Sequence, residues 1–116
     1  MNLENAFYPE YMPGDYTLTE SQEFGTMRIM YFSNIEGKVI EIAQSPIGTS
    51  FQVDTENAIT SEVEINNVKG ILVVKGNLRS LIWTIDQTAL YIIGEINEAE
   101  IIKIAENITF KEKNEK

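Results

Sequence analysis

The chain has 116 residues, with 9 basic side chains against 18 acidic ones and a formal net charge of −9 at pH 7. Its length predicts one domain, and its hydrophobic content of 43% is typical of a globular protein rather than a disordered one. The sequence contains no cysteine and no histidine, which excludes disulfides, thiol catalysis, imidazole-based triads and the usual zinc and copper ligand sets.

The acidic charge limits the partners that the chain can bind. A net charge of −9 repels nucleic-acid phosphates and anionic lipid headgroups, and the basic residues are scattered or lie among glutamates. We therefore expect no nucleic-acid partner. No apolar run approaches the ~18 residues that a membrane-spanning helix needs, and the first residues do not resemble a signal peptide. This pattern fits a cytoplasmic protein and equally the soluble part of a longer one.

The leading segment, residues 7–16, contains four aromatic residues and two prolines. Each proline holds its predecessor extended, and Pro13-Gly14 is a turn signal, so the segment is not expected to be a free tail. Tyr8 and Tyr11 are the candidate binding residues, because amphipathic aromatic side chains beside prolines can line a recognition groove. The alternative, which is the commoner arrangement, is that both tyrosines pack onto the sheet.

A series of short runs with strand character follows the leading segment. In the clearest run Ser61, Val63 and Ile65 point to one side, while Glu62 and Glu64 point to the other. Such alternation indicates antiparallel strands with one face buried and one acidic face in water. The predicted strands are residues 16–24, 27–33, 38–44, 60–65, 68–75, 79–85 and 89–93, with a long loop over residues 45–56.

The hydrophobic period changes from 2 to 3.6 after the last predicted strand. Asn97 can cap a helix in which Glu100 is the third residue, which resembles a capping box. Apolar residues then recur at the spacing of a single helical stripe. The stripe consists of Ile101, Ile104, Ala105 and Ile108.

These elements predict an α+β fold, namely an antiparallel β-meander of about six or seven strands with one C-terminal helix packed on one face. Trp83 is expected in the core, with its indole N–H hydrogen-bonded to a partner. Residues 1–116 form a single domain in this interpretation, with a core over about residues 7–109 and a frayed charged tail over residues 110–116.

Two acidic pairs are candidates for chemistry. Asp54 and Glu56 lie two residues apart, but the glycine and distal glutamate of a calcium-binding EF-hand are missing. Glu62 and Glu64 would lie about 7 Å apart on a strand, a spacing also found between glycosidase carboxylates, but they are more typical of a solvated strand face. No phosphate-binding glycine loop occurs. We predict no catalytic residue, no metal site and no cofactor.

The order of several short motifs is more specific than any one of them, and together they resemble the bacterial domain of unknown function DUF4367 over about residues 7–109. Gly14 comes one place early for that family, and Asn67 stands where glycine is often found. Both are turn positions, at which asparagine tolerates left-handed backbone conformations. The motifs are Tyr11-Met12-Pro13-Gly14-Asp15-Tyr16, Ile65-Asn66-Asn67-Val68-Lys69-Gly70, Leu81-Ile82-Trp83, Ile92-Ile93-Gly94 and the helical residues 98–108.

The resemblance implies a location and a context. Members of DUF4367 are typically the soluble C-terminal parts of proteins from Gram-positive bacteria, often behind one membrane helix and sometimes behind an anti-sigma-factor-like cytoplasmic segment. The resemblance therefore implies an extracytoplasmic domain whose only membrane attachment is a tether absent from this chain. The family supplies no catalytic residues.

The expected function is a non-enzymatic sensory or interaction domain that binds a protein, a peptide or an envelope component. Two alternatives remain open at this point. One is a carboxylate-dependent envelope hydrolase, which requires a cleft that holds two acidic groups and raises the pKa of one of them. The other is a purely structural module, such as a spacer or an assembly domain that pairs through exposed strand edges.

Overall fold

In the computed structural model of the protein, the described residues are 6–48 and 56–111. Within these ranges the chain forms nine strands and one helix, and all the strands pair antiparallel. The strands are β1 (Ala6–Pro9), β2 (Thr17–Phe24), β3 (Met27–Ser33), β4 (Val39–Pro46), β5 (Ile59–Ile65), β6 (Val68–Lys75), β7 (Leu78–Ile85), β8 (Thr88–Gly94) and β9 (Ile108–Lys111), and helix α1 (Glu98–Glu106) precedes β9.

Seven of the strands form one sheet in the order β2-β3-β4-β8-β7-β6-β5. Two meanders, β2 to β4 and β5 to β8, are joined in the middle of this sheet by the pairing of β4 with β8. The predicted α+β class, the antiparallel pairing and the single C-terminal helix are confirmed. The strand order was not predictable from the local pattern, and it leaves β2 and β5 as the two edges.

Tight turns fix the register between neighbouring strands. Ile65 pairs with Val68, so that Asn66 and Asn67 form a two-residue hairpin loop with φ angles of 51° and 72°. A type I′ turn, whose twist matches that of the flanking strands, requires positive φ at both positions. Asparagine adopts positive φ more readily than most other residues with side chains. Asn67 can therefore occupy a position at which glycine is often found.

One face of the large sheet carries the hydrophobic core. Helix α1 packs on it through Ile101, Ile104 and Ala105, which are at most 1% exposed. The helix begins as predicted, because the Asn97 side chain accepts a hydrogen bond of 2.8 Å from the backbone N–H of Glu100. We call this side of the sheet the covered face. Its buried strand residues include Met30, Phe32, Ile40, Ile42, Leu72, Leu81, Trp83, Leu90 and Ile92.

Strands β1 and β9 form a separate ribbon that also packs on the covered face. Phe7 is 7% exposed, and its backbone exchanges two 2.9 Å hydrogen bonds with the side-chain amide of Gln44 on β4. Gln44 is itself buried, so the pair satisfies the polar groups of both partners inside the protein. The ribbon therefore completes the cover that α1 begins.

The helix is shorter than the predicted apolar stripe, because the chain continues into the β1–β9 ribbon. The helix ends at Glu106, and Ile108 is the first residue of β9, where it pairs with Pro9. Ile108 remains buried at 6% exposure, so its apolar character serves the strand rather than a further helical turn. Phe110 and Lys111, assigned to the charged tail, also belong to β9, and residues 112–116 lie outside the described part of the chain.

Two further local expectations differ from the structure. Ser45 and Pro46, assigned to a loop, continue β4 and pair with Ala89 and Thr88, because the neighbouring strand β8 extends far enough to meet them. Trp83 is in the core as predicted, at 2% exposure, but its indole N–H has no hydrogen-bond acceptor among the described residues. The burial of this polar group without a partner is unfavourable.

Candidate interaction surface

The two tyrosines singled out in the sequence lie on the covered face at separate places. Tyr8, on β1, accepts a 2.7 Å hydrogen bond from Nη2 of Arg28 on β3, and the guanidinium carbon lies 5.0 Å from the centre of its ring. Tyr8 is half-buried against the core. These contacts attach the β1–β9 ribbon to the sheet.

Tyr11 attaches the next part of the leading segment to the helix. Its hydroxyl donates a 2.6 Å hydrogen bond to Oε1 of Glu100, and Nζ of Lys103 lies 4.3 Å from the centre of its ring. The hydrogen bond to Glu100 raises the pKa of the Tyr11 phenol, with smaller contributions from burial and from the carboxylate charge. Both tyrosines therefore use their polar ends within the chain, which favours the packing interpretation over a recognition groove.

The acidic pairs are not assembled into a site. Glu62 and Glu64 are exposed on the edge strand β5, opposite Ile71 and Lys69 of β6. Asp54 lies outside the described residues. Across residues 6–48 and 56–111, no group of three or more acidic side chains is placed to hold a metal ion.

A cavity lies at one end of the sheet, beside Arg28 and Gln44. It has a volume of about 450 Å³ and is lined by turn residues and strand ends of β2, β3, β4 and β8. Two of its lining side chains, Arg28 and Gln44, already hold β1 through Tyr8 and Phe7. This end of the sheet thus anchors the ribbon.

The opposite face of the sheet has a different composition. Side chains alternate between the two faces along each strand, so the neighbours of the core residues point away from α1. The register places ten of these residues in two rows across the five central strands, and we call them the open face. One row is Tyr31, Glu41, Ile93, Ser80 and Val73, and the other is Ile29, Ala43, Tyr91, Ile82 and Ile71.

The open face is apolar for most of its extent. Eight of its ten residues are aliphatic or aromatic, and none of the ten belongs to the core cluster. Ile71 is 43% exposed, whereas Ala43, Val73 and Ser80 are 2%, 4% and 5% exposed. No helix or strand in the described part of the chain packs on this side. The expected acidic outer face is therefore found at edge strand β5 but is wrong for the centre of the sheet.

Glu41 lies near the centre of the open face. It is directly opposite Tyr31 on β3 and Ile93 on β8, and Tyr91 is the next residue of β8 on the same face. Glu41 is half-buried, and burial raises the pKa of its carboxyl above the ordinary value. Among the residues that the structure describes, its carboxylate has no hydrogen-bond or ion-pair partner.

The two tyrosines beside Glu41 direct their hydroxyls to other strands. The Tyr31 hydroxyl lies 3.5 Å from Oε1 of Gln22 on β2, and Tyr91 shares a side-chain hydrogen bond with Ser80 on β7. Burial, followed by the charge of Glu41, raises the pKa of both phenols. The carboxylate thus lies between two aromatic side chains. Sequence reasoning missed this arrangement, because it exists only across three paired strands.

Comparison with known proteins yields a family and no closer relative. A family model described as Domain of unknown function (DUF4367) matches residues 6–108. No curated protein and no solved structure gives a significant match. The matched range runs from β1 to the first residue of β9 and includes the whole open face. Within the described residues, the chain has no helix with the length and apolar character needed to span a membrane.

Proposed function

The chain belongs to the DUF4367 family, and from this premise we propose that it is a non-enzymatic sensory or interaction domain that acts outside the cytoplasmic membrane. Its partner in this proposal is a protein, a peptide or an envelope component. The domain would report binding through a membrane-anchored parent protein. The location and the tether are supported by the family resemblance, and the binding role is supported by the open face.

The observation that carries the binding role is the apolar character of the open face. Large contiguous apolar patches are rare on proteins that work alone, and they usually mark interaction sites. Tyr31 and Tyr91 add aromatic side chains with polar ends, which are enriched at interfaces. Ile82 is only half-buried although its strand, β7, lies inside the sheet between β8 and β6.

The hydrolase alternative has less support. It needs two acidic groups that share a cleft, but Glu62 and Glu64 extend from an exposed edge strand. Glu41 is the acid with the raised pKa, and its neighbours in the open face are apolar or aromatic rather than a second carboxylate. This arrangement suits recognition better than acid–base catalysis.

The location can be tested because the chain contains no cysteine. Ile35 is 88% exposed in the turn between β3 and β4, so Ile35→Cys introduces one accessible thiol without disturbing the core. In the full natural protein, produced in its own bacterium, we expect a membrane-impermeant maleimide to label the Ile35→Cys variant in intact cells more strongly than the unsubstituted protein. Labelling only after the cells are lysed would contradict the extracytoplasmic location.

The binding role can be tested in the same cells by site-specific photo-crosslinking. A photoreactive residue at Ile82 on the open face should give a discrete adduct with one partner. The same residue at Glu106, exposed on α1, should not give this adduct and serves as the matched control. Equal adducts from both positions, or none from Ile82, would contradict the proposal that the open face is the binding surface.

A further inference from the structure

We propose that the open face binds a positively charged amphipathic segment of a partner protein, and that a lysine or arginine of this segment lies over Glu41 between Tyr31 and Tyr91. This inference rests on the proposed function, because it names the chemistry of the partner for the same surface. The cationic side chain would neutralise Glu41, while the apolar side of the segment would cover the surrounding aliphatic residues.

The first argument is the state of Glu41. A half-buried carboxylate has lost part of its hydration. Burying its charge is unfavourable unless hydrogen bonds or an opposite charge replace the lost water. In the described part of the chain Glu41 has neither, and its flanking residues on β3 and β8 are Tyr31 and Ile93. A cation supplied by a partner would provide the missing interaction, and partial burial would strengthen it.

The second argument is the position of the two tyrosines. Directly opposite side chains in a sheet are about 4.5–5.5 Å apart at Cβ, and diagonal ones about 7–8 Å, so Tyr31 and Tyr91 both lie within reach of a cation above Glu41. Aromatic rings attract cations within about 6 Å. The chain itself uses this chemistry elsewhere, where Arg28 lies 5.0 Å from the Tyr8 ring and Lys103 lies 4.3 Å from the Tyr11 ring.

The third argument is the charge around the open face. Glu20 extends one row beyond Tyr31 on edge strand β2, and Glu62 extends the other row beyond Ile71 on edge strand β5. Each row therefore has a carboxylate at one end and a neutral residue, Gln22 or Thr60, at the other, and the whole chain carries −9. This field attracts a basic partner and opposes an anionic membrane or a second copy of the chain, which would bring like charges together.

The experiment uses two synthetic amphipathic peptides of the same length, one with lysine and one with glutamate on its polar side. We expect the lysine peptide to shift the amide resonances of Glu41, Tyr91 and Ile82 in the isotope-labelled protein, and the glutamate peptide to leave them unchanged. Glu41→Gln should weaken binding of the lysine peptide by about tenfold, since it removes a partly buried charge contact. Glu64→Gln, an exposed control on edge strand β5 with the same change in net charge, should weaken it less than about twofold.

Three outcomes would overturn the inference. These are equal weakening by Glu41→Gln and Glu64→Gln, resonance shifts that occur away from the open face, and equal binding of the glutamate peptide. If one of them occurs while crosslinking from Ile82 still yields a discrete adduct, the open face binds a partner of other chemistry and the proposed function stands. If the crosslink is also absent, both proposals fail. Retained amide dispersion in each variant confirms that the comparison is made on folded protein.

Discussion

The two faces of the seven-stranded sheet are built from alternate residues of the same strands, yet within residues 6–48 and 56–111 only one of them is covered by a helix or a ribbon. In β8, Ile92 on the covered face is fully buried, while its neighbour Ile93 on the open face is half-buried. In β7, Leu81 and Ile82 show the same contrast. Strands that are apolar on both sides are typical of sheets with both faces packed. The open face therefore has the composition of a buried surface, although no helix or strand in the described part of the chain packs on it.

This contrast separates the residues that stabilise the domain from those available for binding. On the covered face, α1 and the β1–β9 ribbon remove the side chains from water, and the gain appears in the free energy of unfolding. On the open face Ile82 and Ile93 are only half-buried and Ile71 is 43% exposed, so a partner can still bury part of their surface. Matched substitutions on the two faces should thus have very different effects on stability.

The largest difference is expected between Ile92→Ala and Ile82→Ala. Ile92 is 0% exposed, so its truncation leaves a cavity and should lower the free energy of unfolding by about 2–5 kcal/mol. Ile82 is half-buried and points away from the core, so its truncation should cost less than about 1 kcal/mol. Urea denaturation of both variants, with the midpoint and slope fitted together, provides the measurement.

Equal losses in the two variants would show that the open face is already packed in solution. Dependence of the denaturation midpoint on protein concentration would then identify a second copy of the chain as the cover.

The next effect is expected at Gly70, where β6 comes close to its neighbours on the covered face. A Cβ atom at this position would lie 2.7 Å from Cδ1 of Ile65, 3.1 Å from the backbone oxygen of Ile82 and 3.2 Å from Cβ of Trp83. Gly70→Ala should therefore destabilise the protein by about 1–3 kcal/mol through overpacking. Gly94→Ala should cost less, because the added atom meets only one side-chain carbon closely, at 3.0 Å. Thermal unfolding of the two variants can rank them, and a larger loss for Gly94→Ala would contradict the packing described for β6.

A smaller effect is expected where the leading segment is fastened to the helix. Tyr11→Phe removes the 2.6 Å hydrogen bond to Glu100 and should cost about 0.5–1.5 kcal/mol. Tyr31→Phe on the open face is the matched control. Its hydroxyl is 3.5 Å from the Gln22 oxygen, so its loss should cost less than about 0.5 kcal/mol. Denaturation curves recorded side by side measure the difference, and the reverse order would mean that the open face holds the tighter polar contacts.

The local elements could be predicted because each has its own pattern in the sequence. The strands over residues 27–33 and 68–75 occur with the predicted bounds, since turn residues frame each apolar run. The helix begins after Asn97 because a cap and a change of period coincide there. The predicted apolar stripe ran past the end of the helix. Ile108 instead pairs with Pro9, which is far away in the chain and gives no local signal in the sequence.

The candidate site could not be predicted, because it depends on pairings between distant strands. Glu41 lies in the run Val39-Ile40-Glu41-Ile42, which has the ordinary alternation of a strand with one solvated side. Only the pairing of β4 with β3 and β8 shows that its neighbours are Tyr31, Ile93 and Tyr91 rather than water and other acids. Tyr8 and Tyr11 were predicted as binding residues because prolines stand beside them in the sequence. Their hydrogen-bond partners, however, lie on the distant elements β3 and α1.

The smallest expected effect on stability is that of Glu41→Gln, and its size depends on pH. Burial raises the pKa of Glu41 in the folded protein above its value in the unfolded chain, so between these two values the folded state binds more protons. The contribution of Glu41 to stability therefore falls as the pH rises through this window, and its full cost is present above the folded pKa. Below the unfolded pKa the carboxyl is protonated in both states, so this cost is absent.

Replacing Glu41 with glutamine removes this cost, so the variant should unfold at a slightly higher temperature than the wild type at neutral pH. The difference should shrink as the pH falls through the acidic window, whereas exposed Glu64→Gln should show no comparable pH-dependent gain. Melting curves at several pH values supply the measurement. A lower melting temperature for Glu41→Gln at neutral pH would mean that the carboxylate already has a stabilising partner within the chain. In the presence of the lysine peptide the order should reverse, because the peptide stabilises the folded wild type more strongly than the variant that lacks the charge.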